Sequence, residues 1–131
     1  MSAPTLLKLG ARRIIQVAYE PHFERFEAAG MDGERRTVAF LRAGFLTARD
    51  QPELYFFRVE GEGEEIVVGI SGSSLRRFQQ GRKSLSREAK IDLTGLFLKR
   101  RIEAGIALES QNLFLRDKEL AELAGELAIP V

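Results

Sequence analysis

Between Arg87 and Ala104 the apolar residues fall on two opposite sides of one helix, and this restricts the fold more than any other stretch. Turning about 100° per residue, Ala89, Leu93, Leu96, Phe97 and Ala104 form one broad stripe, and Ile91, Leu98 and Ile102 form a second, nearly opposite. Glu88, Asp92, Lys99 and Glu103 fill one gap between the stripes, and Lys90, Thr94 and Arg101 fill the other. A surface helix needs only one apolar stripe. Two stripes predict a helix covered from both sides. The stripe with the larger side chains, Leu93, Leu96 and Phe97, is expected to face a sheet. Ile91, Leu98 and Ile102 then need another cover, either the chain's own C-terminal helix or a second copy meeting the same patch across a two-fold axis. These three are therefore the candidate self-association residues. Gly95, next to them, permits close approach. Ser86 as N-cap, Glu88 in the first turn and Gly105 as C-cap bound the helix.

The sheet is supplied by a hairpin. Leu54-Tyr55-Phe56-Phe57-Arg58-Val59 and Ile66-Val67-Val68-Gly69-Ile70 are aromatic and β-branched runs joined by an acidic loop with two glycines, Gly61 and Gly63. Tyr55, Phe57 and Val59 share one face, as do Ile66, Val68 and Ile70; Leu54, Phe56 and Val67 oppose them. Apolar residues on both faces predict a hairpin near the centre of the sheet, with helices on one side and more protein on the other. Glu60, Glu62, Glu64 and Glu65 in the loop could hold a hard cation, but the ligand spacing of a calcium loop is missing, and a solvated tip is the expectation. No metal site is expected.

Flanking segments are less regular. Ala11 to Tyr19 suits a strand or a helix. Glu20 to Gly30 reads as a short helix, with Pro21 near its start, Phe23 and Phe26 on one face and Gly30 past its end. Met31-Asp32-Gly33 is a turn. In Arg36 to Ala48 the stripe Val38, Leu41, Phe45 and Ala48 favours a helix over a strand buried on both faces. Near the C-terminus, Gln111 to Arg116 reads as a strand. Asp117 is expected to cap a helix carrying Leu120, Leu123, Ala124 and Leu127 inward.

After the hairpin, Ser71-Gly72-Ser73-Ser74 opens a short helix that ends at Gly81 and buries Leu75 and Phe78. A strand, a Gly/Ser turn and a helix start can hold an anion. Ser71, Gly72, Ser73, Ser74, Arg76, Arg77 and Arg82 are the candidate anion-binding residues. Lys83 and Arg87 extend the basic run, and no acid occurs between Ile66 and Glu88. Helix capping explains the serines as well as a ligand does, and no Walker lysine or dinucleotide fingerprint is present.

Composition sets the outer limits. The 131 residues are 44% hydrophobic and 30% charged with a net charge of +1, which fits a single globular α+β domain over residues 1–131. The expected architecture is a small, mainly antiparallel sheet centred on the 54–70 hairpin with helices packed on it. Such a net charge provides no global attraction to nucleic acid or an anionic membrane. The absence of cysteine removes thiol catalysis and disulfides. No apolar run approaches the roughly 20 residues of a membrane span. Met1 to Arg13 has only a broken apolar patch (Leu6, Leu7, Leu9), so a cytoplasmic location is expected. His22 is the only histidine, and no hydrolase, zinc-protease or kinase motif occurs. The leading expectation is a non-catalytic interaction or regulatory module that self-associates as a homodimer, without a cofactor. The alternatives are an anion- or nucleic-acid-binding module using Ser71 to Arg87, and a small enzyme with a carboxylate–arginine site.

Overall fold

The computed structural model describes residues 22–45, 51–81, 84–106, 108 and 113–129. The expected segment Ala11 to Tyr19 lies outside these residues, as do Arg82 and Lys83. Five strands form one sheet in the order β1 (Arg25–Ala29), β2 (Arg35–Phe45), β3 (Glu53–Val59), β4 (Glu65–Ile70) and β5 (Phe114–Leu115). The first four pair antiparallel, while β5 runs parallel to β4. Helices α1 (Gly72–Gln79), α2 (Arg87–Glu103) and α3 (Asp117–Glu126) complete an α+β fold.

The hairpin is present where alternation places it, with Phe56 opposite Val67 and Phe57 opposite Ile66. Tyr55, Phe57, Val59, Val68 and Ile70 are buried on the helix side. On the outer face the Phe114 ring lies against Gly69, where a Cβ would meet it at 2.6 Å. The guanidinium of Arg42 stands 4.2 Å from the centre of the Phe56 ring on that same face.

Two segments expected as helices are strands. In Glu20 to Gly30, residues 25–29 form β1, with Phe26 and Ala28 inward and their neighbours exposed. Gly30 begins a reversal here instead of ending a helix: the Gly33 N–H donates to the Gly30 carbonyl (2.9 Å) and the Gly30 N–H to that of Glu34 (2.9 Å). Gly33 takes a φ of 81°, which the turn requires. Arg36 to Ala48 is likewise not a helix as far as Phe45; it is β2. Its register shifts between Phe40, opposite Phe57, and Arg42, opposite Phe56. That bulge at Leu41 breaks the two-residue period and leaves apolar residues at helix-like spacing along a strand.

Helix α2 is covered from both sides, and Ile91 to Leu98 are buried without a break. The orientation of its stripes is the reverse of the expected one. Ile102 shares a cleft wall with Val59 of β3 and Ile66 of β4, which puts Ile91, Leu98 and Ile102 on the sheet. Arg100, on the same side as Leu93 and Leu96, pairs with Glu126 of α3. α3 packs against α2 and α1 with Leu120, Leu123 and Ala124 buried. The physical reason is clearance. Gly95, beside the Ile/Leu stripe, lets the chain at Phe23 lie directly on the helix ahead of β1, while the bulkier stripe packs toward α3. Ile91, Leu98 and Ile102 are 0%, 0% and 9% exposed within one chain, so they present no surface to a second copy.

Asp92, expected in a polar gap, is fully buried. Its Oδ1 accepts the backbone N–H groups of His22 (2.7 Å) and Phe23 (2.8 Å), which holds the residues leading into β1 against α2. Thr94 is also buried, and its hydroxyl donates within the helix to the Lys90 carbonyl at 2.8 Å. Lys99 Nζ reaches the Glu27 carbonyl of β1 at 3.1 Å.

Candidate functional site

Three segments that are distant in sequence meet at one end of the sheet. They are the β1–β2 turn at Gly30 to Asp32, the β3–β4 tip at Glu62 to Glu65, and the end of α2 at Ile102 with Gly105, Ile106 and Leu108 beyond it. The cleft between them encloses about 580 Å³. Its apolar floor is Val59, Ile66 and Ile102. Its apolar rim is Met31, Ile106 and Leu108, which are 77%, 40% and 38% exposed. Met31 reaches the cleft because Gly105, at φ 71°, has no Cβ: one placed there would stand 2.6 Å from Met31 Cγ.

The polar rim is mostly acidic. Asp32, Glu62 and Glu64 line it with a single guanidinium, Arg36, while the carboxylate of the lining residue Glu65 turns to Arg42 and Arg58. Arg36 Nη2 lies 3.3 Å from Asp32, and its Nε lies 3.8 Å from Glu62. The Glu34 N–H, and after it Arg36, hold the Asp32 carboxyl below its ordinary range. Arg42 does the same for Glu65, which it meets at 2.8 Å from outside the cleft. Glu64 makes no ion pair among the described residues. α2 also ends here, with the Arg100, Arg101 and Ile102 carbonyls accepting the N–H groups of Ala104, Ile106 and Gly105, and the negative end of its dipole points at the cleft.

The residues expected to bind an anion are brought together only in part. Ser71 is the N-cap of α1: its Oγ accepts the Ser74 N–H at 3.3 Å and lies 3.3 Å from the Ser73 hydroxyl. Gly72 is the first helical residue. The carboxylate of Asp117, from α3, lies beside this helix. Arg77 grips it through two nitrogens at 3.0 and 3.2 Å. Arg77 first, and the Ser74 side chain second, hold Asp117 below its ordinary range. Arg76 is exposed, and Arg82 lies outside the described residues. Asp117 itself is the first residue of α3 and not its cap; the Glu119 carboxylate accepts the Arg116 N–H at 2.9 Å instead.

The carboxylate–arginine pairs Arg42–Glu65, Arg77–Asp117 and Arg100–Glu126 each tie two elements together at the surface. A more enclosed trio links β3 to α2. The Tyr55 hydroxyl donates to Glu53 Oε1 at 2.9 Å, and Lys90 Nζ lies 3.1 Å from the same oxygen. Burial pushes the Tyr55 phenol far above its ordinary value of 10.0, so it remains a proton donor to Glu53. Among the described residues no group of three His, Asp or Glu side chains is arranged to hold a metal ion, and no helix is long and apolar enough to cross a membrane.

Sequence reasoning reached the loop acids but not the cleft. Glu62, Glu64 and Glu65 read as a solvated tip, and Met31 as a turn residue. The available signal was a large apolar side chain in the turn Met31-Asp32-Gly33, where polar residues are the rule. The chain matches no protein-family model, no curated protein and no solved structure.

Proposed function

We propose that this chain is a non-catalytic interaction module that docks a segment of another protein in the cleft between the β1–β2 turn, the β3–β4 tip and the end of α2. One observation carries the reading. The three large hydrophobic residues most exposed among the described ones, Met31, Ile106 and Leu108, all line this one cleft. Scattered exposed apolar residues need no explanation, whereas a cluster around a concavity rimmed by polar groups marks an interaction site. Methionine suits such a rim because its flexible, polarizable side chain adapts to an incoming surface.

Self-association is the weaker form of this reading. A two-fold contact through the cleft would bring the acidic rims of two copies, Asp32, Glu62 and Glu64 from each, into one interface, and like charges brought together oppose binding. The other surface once assigned to a second copy, Ile91, Leu98 and Ile102, is buried in the monomer. A segment from a different protein fits both facts.

The test is selection from a random peptide library displayed on phage, with counter-selection on a Met31→Ser, Ile106→Ser double variant. Both residues are exposed, so the variant is expected to stay folded. Sequences that bind the parent chain and not the variant are the expected result. Failure to enrich any such sequence would sink the reading.

A further inference from the structure

We infer that the segment docked in this cleft is cationic: a peptide that places apolar anchors on Val59, Ile66 and Ile102 and sets Lys or Arg side chains against Glu62 and Glu64. The inference rests on reading the cleft as a docking site and adds the chemistry of its occupant. The carboxylates of Asp32, Glu62 and Glu64 line the cleft with one guanidinium. That guanidinium, Arg36, is already engaged by Asp32 and Glu62, while Glu65 is engaged by Arg42 and Arg58. Glu64 is left without an ion pair among the described residues, and Glu62 has only the 3.8 Å contact to Arg36. These two side chains stand on the hairpin tip, beside the apolar rim. The carbonyl end of α2 closes the opposite wall and favours positive charge.

Whole-molecule attraction does not account for such a preference. The chain carries a net charge of +1, so the field that would draw in a basic peptide is local to this end of the sheet. The apolar floor supplies affinity without regard to charge, and the carboxylates supply selection among apolar segments. An acidic segment would meet like charges, and a neutral one would desolvate Glu64 without compensation.

Three amphipathic peptides of matched length test this, with leucine as the apolar residue and lysine, glutamine or glutamate as the polar one. Binding is followed by fluorescence anisotropy on the full chain at low and at high salt. The lysine peptide is expected to bind most tightly and the glutamate peptide most weakly. A Glu62→Gln, Glu64→Gln double variant is expected to weaken the lysine peptide by about threefold to tenfold, the range for two exposed charge pairs, and to leave the glutamine peptide unchanged. Salt is expected to narrow the difference between the lysine and glutamine peptides. Equal binding of those two, both lost in Met31→Ser, Ile106→Ser, would leave the docking reading intact and overturn the cationic partner. Lysine-peptide binding that survives the apolar double variant would place the attraction elsewhere and overturn it as well. No binding by any peptide would remove both.

Discussion

Gly95 of α2 and Phe23, just ahead of β1, approach so closely that a Cβ on the glycine would lie 2.5 Å from Phe23 Cβ and 3.0 Å from the Phe23 carbonyl oxygen. Two residues of backbone are thereby seated directly on the central helix. Asp92, one turn earlier, accepts the N–H groups of His22 and Phe23. Together the glycine and the carboxylate position β1, and with it the turn that carries Met31 into the cleft.

Gly95→Ala is therefore expected to destabilise the chain, although in an isolated helix the same change is favourable by about 1 kcal/mol. Overpacking of this kind costs about 1–3 kcal/mol, and backbone as well as side chain would have to move. Urea unfolding should show a lower midpoint. A raised midpoint would mean that the two segments do not make this contact.

Asp92→Ala removes the acceptor of two half-buried backbone N–H groups, and a loss of about 1–3 kcal/mol in total is expected. Asn at the same position keeps one carbonyl oxygen and is expected to cost less. Amide exchange at His22 and Phe23 is the direct readout, and it should quicken in the Ala variant before exchange in β3 does. Unchanged protection at these two amides would count against the assignment.

Leu98→Glu is expected to abolish the folded state and not to release a soluble monomer. Leu98 is 0% exposed within a single chain and sits on the sheet side of α2. An unpaired carboxylate there has nothing to compensate its burial, and destabilisation above about 4 kcal/mol is expected. Circular dichroism with analytical ultracentrifugation separates the outcomes, since a folded monomeric variant would mean that the stripe is covered by another subunit.

Acid should weaken the fold in stages. The carboxyls of Glu65 and Glu126, ordinarily at 4.5, and of Asp32 and Asp117, ordinarily at 3.8, are all lowered in the folded chain, mainly by arginine partners except at Asp32, where the Glu34 N–H leads. A folded value below the unfolded one stabilises fully above the unfolded value, and the contribution is lost as pH falls through the folded value. Thermal melts should therefore be flat from these four groups above pH 4.5 and decline below it. Arg42→Gln should remove most of the Glu65 share of that decline, Arg58 keeping the remainder. A melting temperature that rises on acidification from pH 5 to 3 would contradict the sign.

Local chemistry determined the parts of this protein whose signals lie within one element. The hairpin 54–70 follows from alternation and its glycine loop, and α1 and α2 from their serine caps, Ser71 and Ser86. The double stripe of α2 was sufficient to show that both sides of the helix are covered. Which stripe met the sheet was decided by packing, because hydrophobicity alone does not distinguish two apolar stripes, and the Gly95–Phe23 contact seats the start of β1 beside the Ile91–Leu98 side. β1 and β2 also depended on partners. Phe23 and Phe26, three residues apart, resemble a helical face, yet their rings meet edge-on at 5.4 Å at the start of a strand. The bulge at Leu41 gave β2 a helical spacing, and only pairing with β3 reveals it. The cleft lay beyond sequence reasoning for the same reason. Met31, Glu64 and Ile106 come from three separate connections, and no local pattern specifies that a sheet will bring their ends together.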